Sequence, residues 1–271
     1  SLGASLYKGK KSYGFGIDDP TPQKIDIALA QALEIIDSLP EDPHFVDVEN
    51  DLTLAPAREV VNNIIAIPLA TKTEILSSLA ASAAEAGFEL YGTFICNHQT
   101  SRLINSNGLD KCSTLSPIYL EIKAVHKDSQ ITVMETFGGD DFNHFDLEDF
   151  RTRLMRKIGY GANPVTDVEP GHYDVILAPR CVAEFVQYLT YGMNARALDQ
   201  RSSFFEGKID QKVLSDKLTI VDDPTDPEMI NRDYGSGGHI YRPLKLIENG
   251  FFRSFICDQY YHKKTGLPKN G

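Results

Sequence analysis

A run of β-type segments joined by short turns constrains this chain more than any other feature. The segments are rich in β-branched and aromatic residues, and they cover residues 88–96, 101–108, 117–128 and 130–139. Short runs of turn residues separate them, such as Ser106-Asn107-Gly108 and Lys127-Asp128-Ser129. Strands joined by turns this short pair antiparallel, because a parallel crossover needs about a dozen residues or more. The middle of the chain therefore predicts an antiparallel sheet.

Helical patterns precede this run. Residues 21–40 predict a helix with Thr21 as its N-cap, followed directly by a proline that suits a first helical position. A second helix is predicted to begin at the capping box from Thr71 to Glu74 and to end at Gly87. Helices beside such a sheet indicate an α+β fold, with helices packed on a mixed, largely antiparallel sheet.

The later half of the chain also contains both helical and strand patterns. A helix is predicted from Asp146 to Ile158, a short strand at residues 175–177, and a helix directly after that strand. Asn249-Gly250 lies between two apolar runs, which is a strong hairpin signal. In the helix after the short strand, apolar residues follow helical spacing, so we expect one buried stripe formed by Val182, Phe185, Val186 and Leu189.

Residues 159–171 are rich in glycine and proline and predict a domain boundary. We expect an N-terminal and central α+β domain over residues 1–158 and a β-rich C-terminal domain over residues 172–271. The chain does not begin with methionine. We therefore expect the start of the first domain to be missing from this sequence, and a family resemblance given below implies that the end of the second domain is missing as well.

Composition argues against two classes of partner. The formal net charge is −11, from 27 Lys and Arg against 38 Asp and Glu, whereas nucleic-acid binding draws on basic side chains that neutralise phosphates. We expect no direct nucleic-acid binding. Since a bilayer span needs ~20 apolar residues and no run approaches that length, we also expect no membrane contact.

The four cysteines form no C-x-x-C pair, which fits a reducing compartment, so we predict a cytoplasmic protein. Cys181 begins an apolar helix and is predicted to be buried. No two histidines stand one helical turn apart, so the sequence provides no local zinc motif. A scattered site of His144 with Asp140 and Asp141 is a weaker possibility than a solvated turn and a helix cap. No serine or cysteine lies in a nucleophile motif, so we predict no catalytic residue and no metal ligand.

Two further segments leave alternatives open. The glycine-rich residues 234–242 form either a flexible connection or a loop whose bare backbone lets a peptide approach closely. Asp222-Asp223-Pro224 is either a paired-carboxylate site or, more in keeping with the preceding strand, an Asx-type turn.

Several motifs, taken in order, resemble the TldD/PmbA family. They are SSFFEGKIDQKVLSDKLTIVDDPTDP at 202–227, LIENG within the hairpin, TGLPKNG at 265–271, SRLINSNGL at 101–109, and a glycine-containing strand entering the helix at Thr21. Each motif is weak alone, but their order is fairly specific. The chain departs from the family at residues 232–239, where RDYGSGGH replaces an acidic step.

The resemblance implies a cytosolic peptidase built from two kinds of subunit that act on unfolded or small peptides. The TldD kind carries HExxxH and a zinc ion, whereas the PmbA or TldE kind lacks the motif and helps to form the peptide channel. At the corresponding place this chain reads VQYLTYG, residues 186–192, with neither His nor Glu. It therefore resembles the PmbA/TldE kind, in a family whose older name is modulator of DNA gyrase.

From this resemblance we expect a non-catalytic, channel-forming subunit with no cofactor of its own and zinc in a partner. The partner is a second copy or an HExxxH-bearing TldD-like subunit, and the substrate is a peptide. We predict that the peptide contacts Ser202, Ser203, Phe204, Phe205, Gly235, Ser236, Gly237 and Gly238. Two alternatives stay open, namely an enzyme that processes peptides or natural products with the same fold, and a stand-alone binding protein.

Overall fold

The computed structural model describes residues 1–49, 51–55, 63–64, 66–226, 228–230, 233–235 and 237–270. Its helices are α1 (Pro22–Ser38), α2 (Leu69–Glu85), α3 (Leu147–Gly161), α4 (Pro179–Gly192), α5 (Ala195–Asp199) and α6 (Gln259–Thr265). Its strands are β1 (Leu2–Lys8), β2 (Lys11–Ile17), β3 (Phe88–Cys96), β4 (Gln99–Ile104), β5 (Asp110–Leu115), β6 (Ile118–His126), β7 (Thr132–Gly139), β8 (Ile220–Asp222), β9 (Leu244–Glu248) and β10 (Phe251–Phe252).

The described residues form two compact units that alternate along the chain. One unit comprises Ser1–Val48, Arg180–Val221 and Leu244–Gly271, and the other comprises Glu49–Pro179 and Asp222–Pro243. We call the first the split unit and the second the sheet unit. The α+β prediction is confirmed, whereas a domain boundary at residues 159–171 stays a prediction.

The sheet unit is built on the antiparallel order β3-β6-β7. Alternate residues of β6 point to one face, where Leu120, Ile122 and Ala124 are buried. Helices α2 and α3 cover that face with side chains such as Leu79 and Leu154, which are fully buried. Between β3 and β6 the chain forms the smaller, separate β4–β5 hairpin.

The split unit contains two smaller sheets. The antiparallel β1–β2 hairpin packs against α1, and β9 lies between β10 and β8. Its core cluster consists of Met193, Phe205, Ile220, Leu246, Ile247, Phe252 and Phe255. The core thus draws on segments on both sides of residues 222–243.

Helix starts show where local signals suffice. Thr21 is the N-cap of α1 and accepts a hydrogen bond from Lys24 N at 3.4 Å. Asp146, where a helix was predicted to begin, is the N-cap of α3 and accepts bonds from the first-turn amides. The capping box at Thr71 is wrong, because α2 begins at Leu69 with Pro68 as N-cap. The helix already includes Thr71, so its side chain cannot occupy a cap position.

The hairpin at Asn249-Gly250 is confirmed. Asn249 has φ 49° and Gly250 has φ 80°, as a type I′ turn requires. The turn is also packed, because a Cβ on Gly250 would lie 2.7 Å from Ser215 O and closer still to Leu214 O. Only glycine fits at this position without displacing backbone.

The short strand predicted at residues 175–177 is wrong. The segment is in no regular structure, and Val175 and Ile176 are 76% and 102% exposed. A β-strand is stabilised by hydrogen bonds to a neighbour, and no described residue pairs with this segment. The segment is apolar, as its sequence shows, but the described part of the chain offers no strand that pairs with it.

Candidate functional site

The β4–β5 hairpin presents two chemically different faces. Ser101 pairs across the strands with Ser113, and Leu103 pairs with Lys111. Because side chains alternate along a strand, these four residues share one face. The opposite face carries Thr100, Arg102, Cys112 and Thr114.

Residues 233–235 and 237–241 lie on the face that carries the two serines. Tyr234 places its hydroxyl 3.1 Å from Ser101 O and 2.9 Å from Lys111 O, so its proton is shared between the two strands. The Ser113 hydroxyl donates to the Asp233 carboxylate at 2.8 Å. These bonds join parts of the sequence more than a hundred residues apart.

The glycine-rich part of this segment is a packed turn. Gly235 N donates to His239 O and Gly238 N donates to Gly235 O, both at 2.9 Å. Gly238 has φ 94°, and a Cβ there would lie 2.8 Å from Leu109 Cδ2. The buried Lys111 ammonium donates to Gly238 O at 2.7 Å. This geometry argues against a flexible connection, whereas the close approach of a peptide to the loop stays a prediction.

A pocket of about 300 Å³ lies between the hairpin and this turn. Its lining residues are Ser101, Arg102, Leu103, Ser113, Leu115, Tyr234, Gly235 and Tyr241. Two leucines and two tyrosine rings supply apolar walls, and the two serines supply hydroxyl groups. All these residues belong to the sheet unit. The arrangement suits a ligand that presents both an apolar surface and a polar group.

The charged pair on the other face of the hairpin is self-contained. Arg102 Nε donates to Asp110 Oδ1 at 2.7 Å, and a second guanidinium nitrogen binds the other carboxylate oxygen. The guanidinium lowers the pKa of the Asp110 carboxyl. Because the two charges neutralise each other, this face gives the pocket little net charge.

The predicted peptide-binding residues fall into two groups. Gly235 lines the pocket, Gly237 and Gly238 belong to the same turn, and Ser236 lies outside the described residues. The other group, at residues 202–205, belongs to the split unit. The structure thus assigns the two groups to different units, and peptide contact at either group stays a prediction.

Two residues of the second group serve the core of the split unit. Ser203 is buried, donates to Gly192 O and accepts from Phe205 N at 3.1 Å. Phe205 stacks on Phe252 with ring centroids 4.5 Å apart. Phe204 is 52% exposed and Ser202 is exposed. The segment is not an extended strand, because residues 204–207 form a turn.

Helix α4 corrects the predicted buried stripe. Val186 and Leu189 pack against the core of the split unit. Val182 and Phe185 are 39% and 58% exposed, so only half of the stripe is inward. Cys181, predicted to be buried, is exposed. Helical spacing identifies residues that share a face, but whether another element covers that face is not a local property.

Carboxylates that were candidate ligands have structural roles. Asp223 accepts from Thr225 N at 2.8 Å, which is the Asx-type turn favoured by the sequence. Asp141 caps a short 3₁₀ helix, Phe142–His144, and its pKa is lowered chiefly by the hydrogen bond from Asn63. His144 Nε2 lies 3.9 Å from Asp141 Oδ2. Within the described ranges, no three His, Cys, Asp or Glu residues are grouped as metal ligands would be.

Ser101, Ser113, Asp233 and Tyr241 were not among the predicted site residues. In SRLINSNG, residues 101–108, successive side chains of a strand point to opposite faces and the last three residues form a turn. This pattern could have placed Ser101 on one face of a hairpin. The contact from Asp233 to Ser113, 120 residues away, has no signal in a single sequence.

Comparison with known proteins gives a consistent result. Residues 170–271 match the model of a family described as the PmbA/TldA metallopeptidase C-terminal domain. A protein of Methanothermobacter thermautotrophicus named metalloprotease is 26% identical over 96% of this chain and 58% of its own length. A zinc metalloprotease TldD homolog of Saccharolobus solfataricus is 28% identical over 56% of this chain and 35% of its own length.

Solved structures share the fold. TldE from Thermococcus kodakarensis superposes with a TM-score of 0.84 at 20% identity, covering 98% of this chain and 62% of TldE. A Thermotoga maritima protein described as a candidate modulator of a DNA gyrase gives 0.85 at 16% identity, covering 99% of this chain and 62% of that protein. The chain thus spans less than two thirds of the length of these relatives. None of the helices in the described part of the chain combines the length and the apolar character that crossing a membrane requires.

Proposed function

We propose that this chain, whose residues 170–271 match the model of the PmbA/TldA metallopeptidase C-terminal domain, is part of a peptide-binding subunit of a TldD/TldE-type metallopeptidase. This subunit is TldE-like: it helps to form the channel for unfolded or small peptides but supplies no zinc-bound water. It works in the cytosol as a homodimer or as a heterodimer with an HExxxH-bearing TldD-like subunit, which holds the zinc.

The composition of α4 is the observation that carries this proposal. A zinc helix of the HExxxH type needs two histidines as ligands and a glutamate beside them, all on one helix. Helix α4 contains no histidine, and its one glutamate, Glu184, lies 3.8 Å from Arg180 within the same helix. Val186 and Leu189 instead face the core of the split unit. The residues present do not fit a zinc site, so no catalytic step is assigned to this helix.

The test mixes the purified full-length protein with its HExxxH-bearing relative. We expect cleavage of fluorescein-labelled casein by the mixture, loss of that cleavage with EDTA, and none by this protein alone. The matched control is the relative with the glutamate of its motif changed to glutamine, which should leave the mixture inactive. Cleavage by this protein alone that survives EDTA would overturn the proposal.

Two further measurements separate this proposal from others. Metal analysis should find stoichiometric zinc in the relative but not in this protein. A gel-shift with duplex DNA near physiological salt should show no tight complex, since the chain has a net charge of −11. One tightly held zinc per molecule of this protein, or salt-sensitive DNA binding, would contradict the assigned role.

A further inference from the structure

We propose that the pocket between the β4–β5 hairpin and the residues Tyr234, Gly235 and Tyr241 receives one aromatic side chain of a bound peptide, and that it prefers tyrosine. This inference rests on the proposed peptide-binding function and specifies the residue that the site selects. Three properties of the pocket carry it, namely its size, the hydroxyl groups in its wall and the charges next to those groups.

The size and the walls suit a single ring. The volume of about 300 Å³ is at the lower limit of ligand pockets, which run from ~300 to ~1,000 Å³. Leu103, Leu115 and the rings of Tyr234 and Tyr241 form the apolar part of the lining. Aromatic rings attract one another in offset or edge-to-face geometry. A flat ring therefore gains more from these walls than an aliphatic side chain does.

The two serine hydroxyls have complementary capacity. Ser113 uses its proton to donate to Asp233, so its oxygen can still accept. Ser101 Oγ accepts from Gln99 Nε2 at 3.5 Å, and among the described residues it donates to none. Ser101 can thus donate while Ser113 accepts. A phenol hydroxyl both donates and accepts, so it can satisfy both serines at once.

The charges next to the serines favour a neutral group. Lys111 lies two residues before Ser113 on the same face of β5, and its ammonium is buried under Gly238 O. Asp233 brings the opposite charge to Ser113. Because the charges of Lys111 and Asp233 offset each other, a cationic or an anionic ligand group would lose its hydration without gaining a net opposite charge to pair with. A neutral dipolar group such as a phenol meets no such penalty.

The first experiment measures binding by isothermal titration calorimetry. The probes are acetyl-Gly-Gly-Xaa-Gly-Gly-amide peptides with Xaa as Tyr, Phe, Lys or Glu. We expect the Tyr peptide to bind tightest and the Phe peptide roughly 3- to 10-fold more weakly, since a net hydrogen bond changes an affinity by about that factor. The Lys and Glu peptides should bind at least about 10-fold more weakly than the Tyr peptide.

Variants assign the preference to the pocket. Ser101→Ala should bring the affinity for the Tyr peptide down to that for the Phe peptide and leave the Phe peptide unchanged. Ser101→Leu should weaken both by filling the pocket. Thr100→Leu is the matched control, because Thr100 is the neighbouring residue on the opposite, exposed face. Thermal unfolding of each variant checks that the hairpin still folds.

The inference is overturned if Tyr and Phe peptides bind equally, if a charged peptide binds tighter, if no peptide binds, or if Thr100→Leu weakens binding as much as Ser101→Leu. The cleavage assay distinguishes this failure from that of the proposed function. A mixture that cleaves casein regardless of the pocket variants keeps the function and rejects the pocket. Selective Tyr binding without cleavage by the mixture keeps the pocket and rejects the metallopeptidase role.

Discussion

Replacing Gly250 with alanine should destabilise the split unit far more than the same change at Gly207. Both glycines belong to this unit and both have positive φ, 80° and 69°. Their surroundings differ. A Cβ on Gly207 meets no atom within 4 Å, whereas a Cβ on Gly250 would overlap the carbonyl oxygens of Leu214 and Ser215. Because those are backbone atoms, no side-chain rotation can relieve the overlap.

The magnitude follows from two contributions. Left-handed backbone costs an alanine about 1–2 kcal/mol, and the lower entropy of the unfolded chain returns about 0.4–1 kcal/mol. Gly207→Ala should therefore cost about 1 kcal/mol. Gly250 O also accepts hydrogen bonds from Val213 N at 2.8 Å and Leu214 N at 3.1 Å. If the displaced segment loses both, at about 1 kcal/mol each, Gly250→Ala should cost about 3 kcal/mol.

Urea unfolding followed by far-ultraviolet circular dichroism gives the two free energies. The chain has no tryptophan, so circular dichroism reports the transition better than intrinsic fluorescence. A difference near 2 kcal/mol between the variants supports the steric explanation. If the two variants lose the same stability within about 0.5 kcal/mol, the reasoning is refuted, because φ alone would then account for both.

Three further outcomes can be measured on the same protein. Ser203→Ala should lower the free energy of unfolding by about 1–3 kcal/mol, because it leaves Gly192 O and Phe205 N without their buried partner. The control Ser202→Ala should change the free energy of unfolding by less than about 0.5 kcal/mol. Equal effects of the two variants in urea unfolding would contradict this role of Ser203. Burial raises the pKa of the Cys257 thiol to about 11. A thiol reagent near pH 8 should therefore label the exposed Cys112 and Cys181 long before Cys257. If Cys257→Ser removes a fast-reacting thiol, the protection of Cys257 by burial is refuted. The pKa of the Asp141 carboxyl is lowered from 3.8, chiefly by the hydrogen bond from Asn63. Its ionised form therefore stabilises the folded state above pH 3.8, and that stabilisation is lost as the pH falls through the lower folded-state pKa. The urea midpoint of Asp141→Asn should therefore fall less steeply than that of the wild type from about pH 5 to pH 3, and parallel curves would reject this role.

Local chemistry decided which parts of the fold were predictable from sequence. The N-cap at Thr21, the helix start at Asp146 and the turn at Asn249-Gly250 depend on residues within a few positions of one another, and all three predictions are confirmed. Only half of the predicted stripe on α4 is buried. Helical spacing identifies the residues that share a face, but it does not show whether another element packs on that face. Of the residues that line the pocket, the sequence predicted one, Gly235. The pocket is lined by segments far apart in the sequence, and no local pattern connects them.

Because segments of the two units alternate along the chain, the two hydrophobic cores can be completed only in a certain order during translation. The core cluster of the sheet unit lies within residues 75–158, so it is complete once that stretch has left the ribosome. The split unit has no such independence, because Met193 and Phe205 must wait for Phe252 and Phe255. At about 5–20 residues per second, that wait lasts several seconds. During this interval the nascent chain exposes the apolar side chains of the part of this core that has already been synthesised.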